Sequence, residues 1–127
     1  MNITHPPVAF QDHRGEIIDV VEQVDFNYAT VISSKKGVER GNHYHKKTIQ
    51  YAYLLTGKIR VLTQMPGAKV ESGILNPGDM IRNEPNESHA LIALEDSTFL
   101  VLTAGERGGK NYENDTYRLE TPLSALI

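Results

Sequence analysis

Two histidines separated by a single residue are the first feature of this sequence that could carry chemistry. His43 and His45 occur in the segment Arg40-Gly41-Asn42-His43-Tyr44-His45, and side chains two positions apart on a β-strand project to the same face. Two imidazoles on one inward face can transfer protons near neutral pH or bind a divalent metal ion. A third histidine, His89, lies in a later strand-like segment, and closure of a barrel would bring it opposite the pair.

Short apolar segments separated by turn residues would hold these histidines in place. They are rich in valine, isoleucine, threonine and tyrosine, and glycine, proline, asparagine and aspartate separate them. Turn-like stretches such as Asn76-Pro77-Gly78-Asp79 connect the segments. The predicted strands are Glu16–Glu22, Ala29–Ser34, Arg40–Lys46, Thr48–Leu55, Lys58–Gln64, Lys69–Leu75, Asp79–Arg82, Ser88–Leu94 and Thr98–Thr103.

This pattern predicts an all-β sandwich, jelly roll or barrel formed by a single domain over residues 1–127. The stretch from 105 to 127 is more polar, and we expect it to lie across the outside of the barrel or against a neighbour. Small barrels often bury an open sheet face in a partner, so the sequence also favours a homodimer.

Bulk composition excludes several classes of partner. The 127 residues are 39% hydrophobic and 23% charged, which is ordinary for one globular domain. The net charge of −3 provides no positive field for nucleic acid. The absence of cysteine excludes disulfides, thiolate metal sites and a cysteine nucleophile. We see no signal peptide and no apolar run of membrane-spanning length, so we expect a cytoplasmic protein without a membrane partner.

Several segments resemble those of the cupin superfamily. The spacing of glycine, His43, His45 and Gln50 between Gly37 and Gly57 is similar to the first cupin motif. Two further stretches resemble signatures of the sugar-nucleotide branch of the cupins, and a third resembles the ending of the 3,4-ketoisomerases that act on dTDP-4-keto-6-deoxyhexoses. These are Phe10-Gln11-Asp12-His13-Arg14-Gly15, Gly37-Val38-Glu39-Arg40-Gly41-Asn42-His43-Tyr44 and Tyr112-Glu113-Asn114-Asp115-Thr116-Tyr117-Arg118.

Other segments depart from the cupin pattern. The second cupin motif is only partly present, as Pro85-Asn86-Glu87-Ser88-His89, and residues 105–110 look like an insertion. At position 50, metal-binding cupins usually carry glutamate and the 3,5-epimerases tend to carry lysine, whereas the 3,4-ketoisomerases carry glutamine. Gln50 therefore makes the sequence most similar to the ketoisomerases.

The resemblance implies a single cupin barrel, a double-stranded β-helix or jelly roll, that acts as an isomerase or epimerase of a keto sugar nucleotide. His43 or His45 would remove the acidic proton beside the carbonyl, giving an enediol or enolate, with no cofactor. Gln50 would hydrogen-bond a sugar hydroxyl or carbonyl. Arg40 would bind the diphosphate, with a surface ion pair to a glutamate as its alternative.

Two other functions stay open. One is a metal-dependent cupin of polysaccharide biosynthesis, in which zinc, iron, manganese or nickel is bound by His43, His45, His89 and Gln50. A comparable zinc-binding cupin occurs in capsular-sugar enzymes. The other is a non-catalytic sugar-binding module. In each case we interpret residues 113–115 as a solvated acidic surface and expect Tyr44, Tyr51 and Tyr53 to face away from the histidines.

Overall fold

β-Strands make up nearly all of the regular structure of this protein. The computed structural model describes residues 1–105 and 114–127. Its strands are β1 (Asn2–Thr4), β2 (Val8–Asp12), β3 (Gly15–Ile18), β4 (Tyr28–Ser34), β5 (Glu39–Tyr44), β6 (Ile49–Thr56), β7 (Ile59–Gln64), β8 (Glu71–Leu75), β9 (Met80–Asn83), β10 (Ser88–Ala93), β11 (Ser97–Ala104) and β12 (Tyr117–Arg118). A 3₁₀ helix at Leu123–Leu126 lies close to the C-terminus. The predicted all-β fold is confirmed.

Two five-stranded sheets form the barrel. The first has the order β1-β9-β6-β11-β4 and the second the order β12-β5-β10-β7-β8. Neighbouring strands are antiparallel, and the chain changes sheet at most connections between β4 and β11, as in a jelly roll. Strands β2 and β3 form a separate hairpin. Of the described residues, none belongs to a helix with the length and apolar character needed to cross a bilayer.

Strand alternation supplies the core between the sheets. On β6, Gln50, Ala52 and Leu54 are buried, whereas Tyr51 and Tyr53 between them are only half-buried on the opposite face. Apolar residues from both sheets pack together in the interior: Ala52, Leu54, Ile59, Val61, Leu75, Ile81, Ala93, Phe99 and Val101. Towards the start of β6 the inward residues become polar, beginning with Gln50. A cavity between the two sheets lies in this polar part.

The C-terminal residues cover part of the outer face of the second sheet. Strand β12 pairs with β5, and Leu123 is fully buried against Leu62 and Ala90. Asn42 ties this segment down, because its carbonyl accepts the N–H of Leu119 at 2.9 Å and its Oδ1 accepts the N–H of Leu123 at 2.9 Å. This arrangement agrees with the expectation that the C-terminal stretch lies across the outside of the barrel.

Three strands of the structure are absent from the set predicted from the sequence. Strands β1, β2 and β12 were not predicted. β1 has three residues and β12 has two, too few to show alternation, and four of the five residues of β2 are exposed, so no buried face marks it. The strand predicted at Glu16–Glu22 ends at Ile18, where its pairing with Val8 ends. The proposed insertion at 105–110 lies, apart from Gly105, outside the described residues. The extent of the single domain, 1–127, stays a prediction.

Candidate active site

A cavity of about 380 Å³ opens between the two sheets, and the predicted site residues line it together. They are Arg40, His43, His45, Gln50 and His89. Apolar side chains, including Leu91, Phe99 and Val101, form the remaining inner wall. A volume of this size is within the range of small-molecule sites, and apolar walls with a few convergent polar groups are typical of them.

The three histidines form one compact cluster. His43 lies on β5 directly opposite His89 on β10, and His45 follows two residues later. The ring centroids of His43 and His45 are 4.9 Å apart, and those of His43 and His89 are 4.7 Å apart. One nitrogen from each of the three rings lies within 4.8 Å of the others. The predicted common orientation of His43 and His45, and the approach of His89, are confirmed.

Hydrogen bonds to main-chain carbonyls orient two of these rings. Nδ1 of His45 lies 2.7 Å from the carbonyl oxygen of Asp115, and Nδ1 of His89 lies 3.3 Å from that of Glu87. Because a carbonyl only accepts, each Nδ1 carries a proton, and in a neutral imidazole this leaves the lone pair on Nε2. The Nε2 of His45 is buried and has no hydrogen-bond partner among the described residues.

His89 is held in its neutral form. Burial, together with the neighbouring imidazoles of His43 and His45, lowers the pKa of His89 to about 3. The weak hydrogen bond to Glu87 only partly opposes this shift. At neutral pH His89 therefore offers a lone pair rather than a proton, which suits a hydrogen-bond acceptor or a metal ligand.

Asp115 is buried next to the site, where its main-chain carbonyl contacts His45. The interpretation of Asp115 as part of a solvated surface is therefore wrong. The carboxylate is buried and accepts hydrogen bonds from the backbone N–H groups of Lys46, Lys47 and Thr48 at 2.9–3.0 Å, and from the Thr48 hydroxyl at 2.8 Å. Burial alone would raise the pKa of Asp115, but these hydrogen bonds outweigh it and lower the pKa to about 2. Glu113, in the same predicted patch, lies outside the described residues.

A row of buried polar side chains crosses the first sheet opposite the histidines. Asn83 on β9, Gln50 on β6 and Thr103 on β11 are aligned in register, and we call them the polar row. They are 3%, 6% and 0% exposed, respectively. Nε2 of Gln50 donates to the Thr103 hydroxyl at 3.4 Å. Sequence reasoning missed Asn83, although it lies two residues after the core residue Ile81 and strand alternation places it on the same inward face.

Two arginines line the cavity where it meets solvent. Arg40 is exposed, and its Nε donates to the Ser34 hydroxyl at 2.7 Å while its Nη2 donates to the Ser33 carbonyl at 2.9 Å. Both of these bonds go to serine oxygens, and no ion pair joins Arg40 to a glutamate within residues 1–105 and 114–127. Arg118 on β12 is also exposed and lines the same cavity. Arg118 ends the segment that resembles the ending of the 3,4-ketoisomerases, but no role was predicted for it from the sequence.

Position 41, two residues before His43, requires a glycine. Its φ is +91°, and a Cβ at this position would lie 2.7 Å from the carbonyl oxygen of His89. The close approach coincides with a bulge between His89 and Ala90 in the pairing of β10 with β5. A larger residue at position 41 would therefore press on β10 at His89, the residue that pairs with His43.

Several other residues singled out in the sequence lie away from the cavity. Asp12 accepts the backbone N–H of Arg14 at 2.9 Å and its guanidinium at 2.7 Å, which closes the turn between β2 and β3 and lowers the pKa of Asp12. Tyr44 stacks on Tyr117 with ring centroids 5.3 Å apart, and neither lines the cavity. Tyr51 likewise faces away, as predicted.

Comparison with known proteins identifies the family. The polysaccharide biosynthesis C-terminal domain matches residues 10–117. The chain belongs to the polysaccharide biosynthesis C-terminal domain family. A sequence comparison with curated proteins gives no match.

Solved structures share the fold of this family member. A dTDP-4-dehydrorhamnose 3,5-epimerase from Sulfolobus tokodaii superposes with a TM-score of 0.78 at 21% identity, over 95% of this chain and 77% of the epimerase. A 3,4-ketoisomerase from Helicobacter canadensis gives 0.78 at 22% identity, over 93% and 90%. A sugar 3,4-ketoisomerase from Thermoanaerobacterium thermosaccharolyticum in complex with TDP gives 0.75 at 20%, over 94% and 89%. These similarities confirm the predicted cupin jelly-roll fold.

Proposed function

We propose that this protein is an isomerase or epimerase of a keto sugar nucleotide. The observation that carries the proposal is the Nε2 of His45, which is buried and has no hydrogen-bond partner among the described residues. It lies at a cavity lined by histidines on one wall and by amides on the other. A general base needs a lone pair directed at the substrate and a ring fixed in one tautomer, and the bond from Nδ1 to the Asp115 carbonyl provides both.

The first chemical step is proton removal from the carbon beside the keto group. Nε2 of His45 accepts that proton, the C–H electron pair forms the C=C bond of an enolate, and the negative charge moves to the former carbonyl oxygen. The side-chain N–H of Gln50 donates to this oxygen and stabilises it. To move the keto group, the enolate oxygen takes the proton of the neighbouring hydroxyl, whose oxygen becomes the new carbonyl, and the imidazolium gives its proton to the former carbonyl carbon. To invert the original carbon instead, the proton returns to the opposite face of that carbon and the carbonyl re-forms in place. His43, in ring contact with His45, is the second proton carrier.

The nucleotide diphosphate fits the solvent side of the cavity. Arg40 and Arg118 both line this region, and a guanidinium binds phosphate oxygens in pairs. The hydrogen bonds from Arg40 to Ser33 and Ser34 hold its guanidinium in place before a ligand arrives. The TDP complex of a structurally similar ketoisomerase supports this choice of ligand.

A divalent-metal site is the second candidate function, favoured by the spacing of the histidine nitrogens. Three imidazole nitrogens within 4.8 Å of one another suit zinc or another borderline metal after small ring rotations, and Gln50 adds an amide oxygen. The donor set therefore fits a metal ion held by His43, His45, His89 and Gln50. Such an ion would act as a Lewis acid on a bound carbonyl or hydroxyl. The carbonyls of Asp115 and Glu87 would then orient the ligand rings.

We also propose that two chains form the functional unit. Phe10 and Ile17 on the β2–β3 hairpin are 52% and 58% exposed, and Val31 on the edge strand β4 is 65% exposed. Exposed apolar side chains, and strand edges without a pairing strand, are each typical of surfaces that bind a second chain. A homodimer would bury them.

Product analysis tests the proposed reaction. The protein, treated with a chelator and purified without added metal, is incubated with dTDP-4-keto-6-deoxyglucose and followed by NMR. We expect a new keto sugar nucleotide, formed at the same rate before and after chelation. Turnover that appears only after addition of zinc, iron, manganese or nickel would favour the metal site instead. Absence of turnover under every condition, with nucleotide-sugar binding retained, would leave a non-catalytic binding module.

A further inference from the structure

Asn83 is a buried amide that the proposed proton transfer does not use. It is the last residue of β9, it lines the cavity, and it is only 3% exposed. Its Oδ1 has no hydrogen-bond partner among the described residues. Buried side-chain polar atoms without a partner are rare in folded proteins, and each one calls for an explanation.

The position of Asn83 restricts what its partner can be. The polar row places it beside Gln50 on the neighbouring strand, so two carboxamides face the cavity side by side. The histidines occupy the second sheet on the other side of the cavity, with His43 and His89 on neighbouring strands. A ligand ring between the sheets thus meets imidazoles on one face and amides on the other.

The chemistry of the polar row matches a ring that carries hydroxyl groups. A carboxamide offers an acceptor oxygen and two N–H donors, and a hydroxyl likewise both donates and accepts. A keto oxygen only accepts, so it cannot pair with the unpartnered Oδ1 of Asn83. A sugar hydroxyl can donate to this oxygen while Gln50 contacts the neighbouring substituent.

We infer that Asn83 is a specificity-determining residue that accepts a hydrogen bond from a hydroxyl of the hexose ring, next to the substituent bound by Gln50. This inference rests on the proposed function, because it takes the nucleotide sugar as the ligand. It assigns recognition of the sugar to the amides of the first sheet and recognition of the diphosphate to the arginines. Asn83 therefore contributes to binding of the sugar and not to binding of the nucleotide.

Calorimetric titration of three proteins with two probes tests this division. The proteins are the wild type, Asn83→Leu, and Gln64→Leu as the matched control. Gln64 is also an amide on a strand, but it does not line this cavity and its Nε2 donates to the Ala68 carbonyl at 3.0 Å. The probes are dTDP-glucose and dTDP. We expect Asn83→Leu to weaken binding of dTDP-glucose about 10-fold and to leave binding of dTDP within about 2-fold of the wild type. Gln64→Leu should leave both affinities unchanged.

A second readout uses the wild-type protein and so does not depend on the folding of a variant. The side-chain amide signal of Asn83 in a ¹⁵N NMR spectrum should shift when dTDP-glucose is added and should stay in place with dTDP. Stability adds a further distinction, since leucine removes a buried polar atom without a partner. The melting temperature of ligand-free Asn83→Leu should equal or exceed that of the wild type.

The outcomes separate this inference from the proposed function. If the wild type binds dTDP-glucose and Asn83→Leu binds it equally well, with an unmoved amide signal, only the role of Asn83 is refuted. If Asn83→Leu weakens both probes equally, Asn83 shapes the cavity and does not recognise the sugar. If the wild type binds neither probe, the nucleotide-sugar function and the role of Asn83 fall together.

Discussion

Removal of the negative charge of Asp115 should destabilise the protein in a way that depends on pH. Its carboxylate accepts four hydrogen bonds from Lys46, Lys47 and Thr48, and these lower its pKa from 3.8 to about 2. Each pKa unit corresponds to about 1.4 kcal/mol, so the charged carboxylate contributes on the order of 2 to 3 kcal/mol to the free energy of unfolding at neutral pH. Asp115→Asn keeps the shape of the side chain and loses this contribution.

The sign of the pH dependence follows from the lowered pKa. Because the folded-state pKa is below the unfolded-state value, the contribution is fully present above about pH 4 and is lost as the pH falls towards 2. The asparagine variant lacks it at every pH. The stability difference between the two proteins should therefore be on the order of 2 to 3 kcal/mol at pH 7 and about half of that at pH 3.

Urea denaturation at pH 7 and pH 3 measures this difference. Asp96→Asn is the matched control, because Asp96 is exposed and accepts one backbone N–H, that of Lys36 at 2.9 Å. The control should lose less than about 1 kcal/mol at pH 7. Two results would refute the claim that these hydrogen bonds stabilise a charged carboxylate: a loss of unfolding free energy in Asp115→Asn below about 0.5 kcal/mol, or a loss that is the same at both pH values.

Three further predictions concern the backbone, the nucleotide and the assembly. Gly41→Ala should lower the free energy of unfolding, measured in urea, by about 3 kcal/mol or more, because the new Cβ would clash with the His89 carbonyl. Gly37→Ala is the control: its φ is a similar +89° but no atom lies within 4 Å of the new Cβ, so it should cost only about 1–2 kcal/mol. Equal losses for the two variants would contradict the close approach at Gly41. Arg40→Ala should raise the Kd for dTDP about 10-fold or more, and an unchanged Kd in calorimetry would place the diphosphate elsewhere. Light scattering should show a dimer for the wild type and a monomer for the double variant Phe10→Ser and Ile17→Ser; a wild-type monomer would end the dimer proposal.

Local pattern was enough to predict the fold and the central pair of histidines. Strand alternation predicted that His43 and His45 share one face, and their rings do lie together, although β5 ends at Tyr44, two residues before the predicted end at Lys46, and His45 follows just beyond it. Alternation also places Gln50 on the same face as Ala52. Alternation acts within one strand, so it needs no knowledge of which strands pair. The common inward direction of these side chains followed for the same reason.

The remaining features of the site depend on contacts between segments that are far apart in the chain, and the local sequence pattern does not specify these contacts. The row that joins Asn83, Gln50 and Thr103 depends on the registers of β9, β6 and β11, which no local signal specifies. Asp115 has the composition of a surface segment, yet it is buried because it meets backbone N–H groups 67 to 69 residues away in the chain. A charged side chain that is buried by hydrogen bonds to backbone has no signature in hydrophobic periodicity.

Deuterium incorporation into a keto sugar nucleotide tests the proposed proton transfer most directly. The metal-free protein and the His45→Asn variant are incubated with dTDP-4-keto-6-deoxyglucose in heavy water, and the ring positions beside the carbonyl are followed by NMR. We predict deuterium at one or both of these carbons with the wild type, and a rate about 10²- to 10⁴-fold lower with His45→Asn, the usual contribution of a general base. No deuterium with the wild type, together with another activity that appears when metal is added, would contradict His45 as the base and favour the metal site.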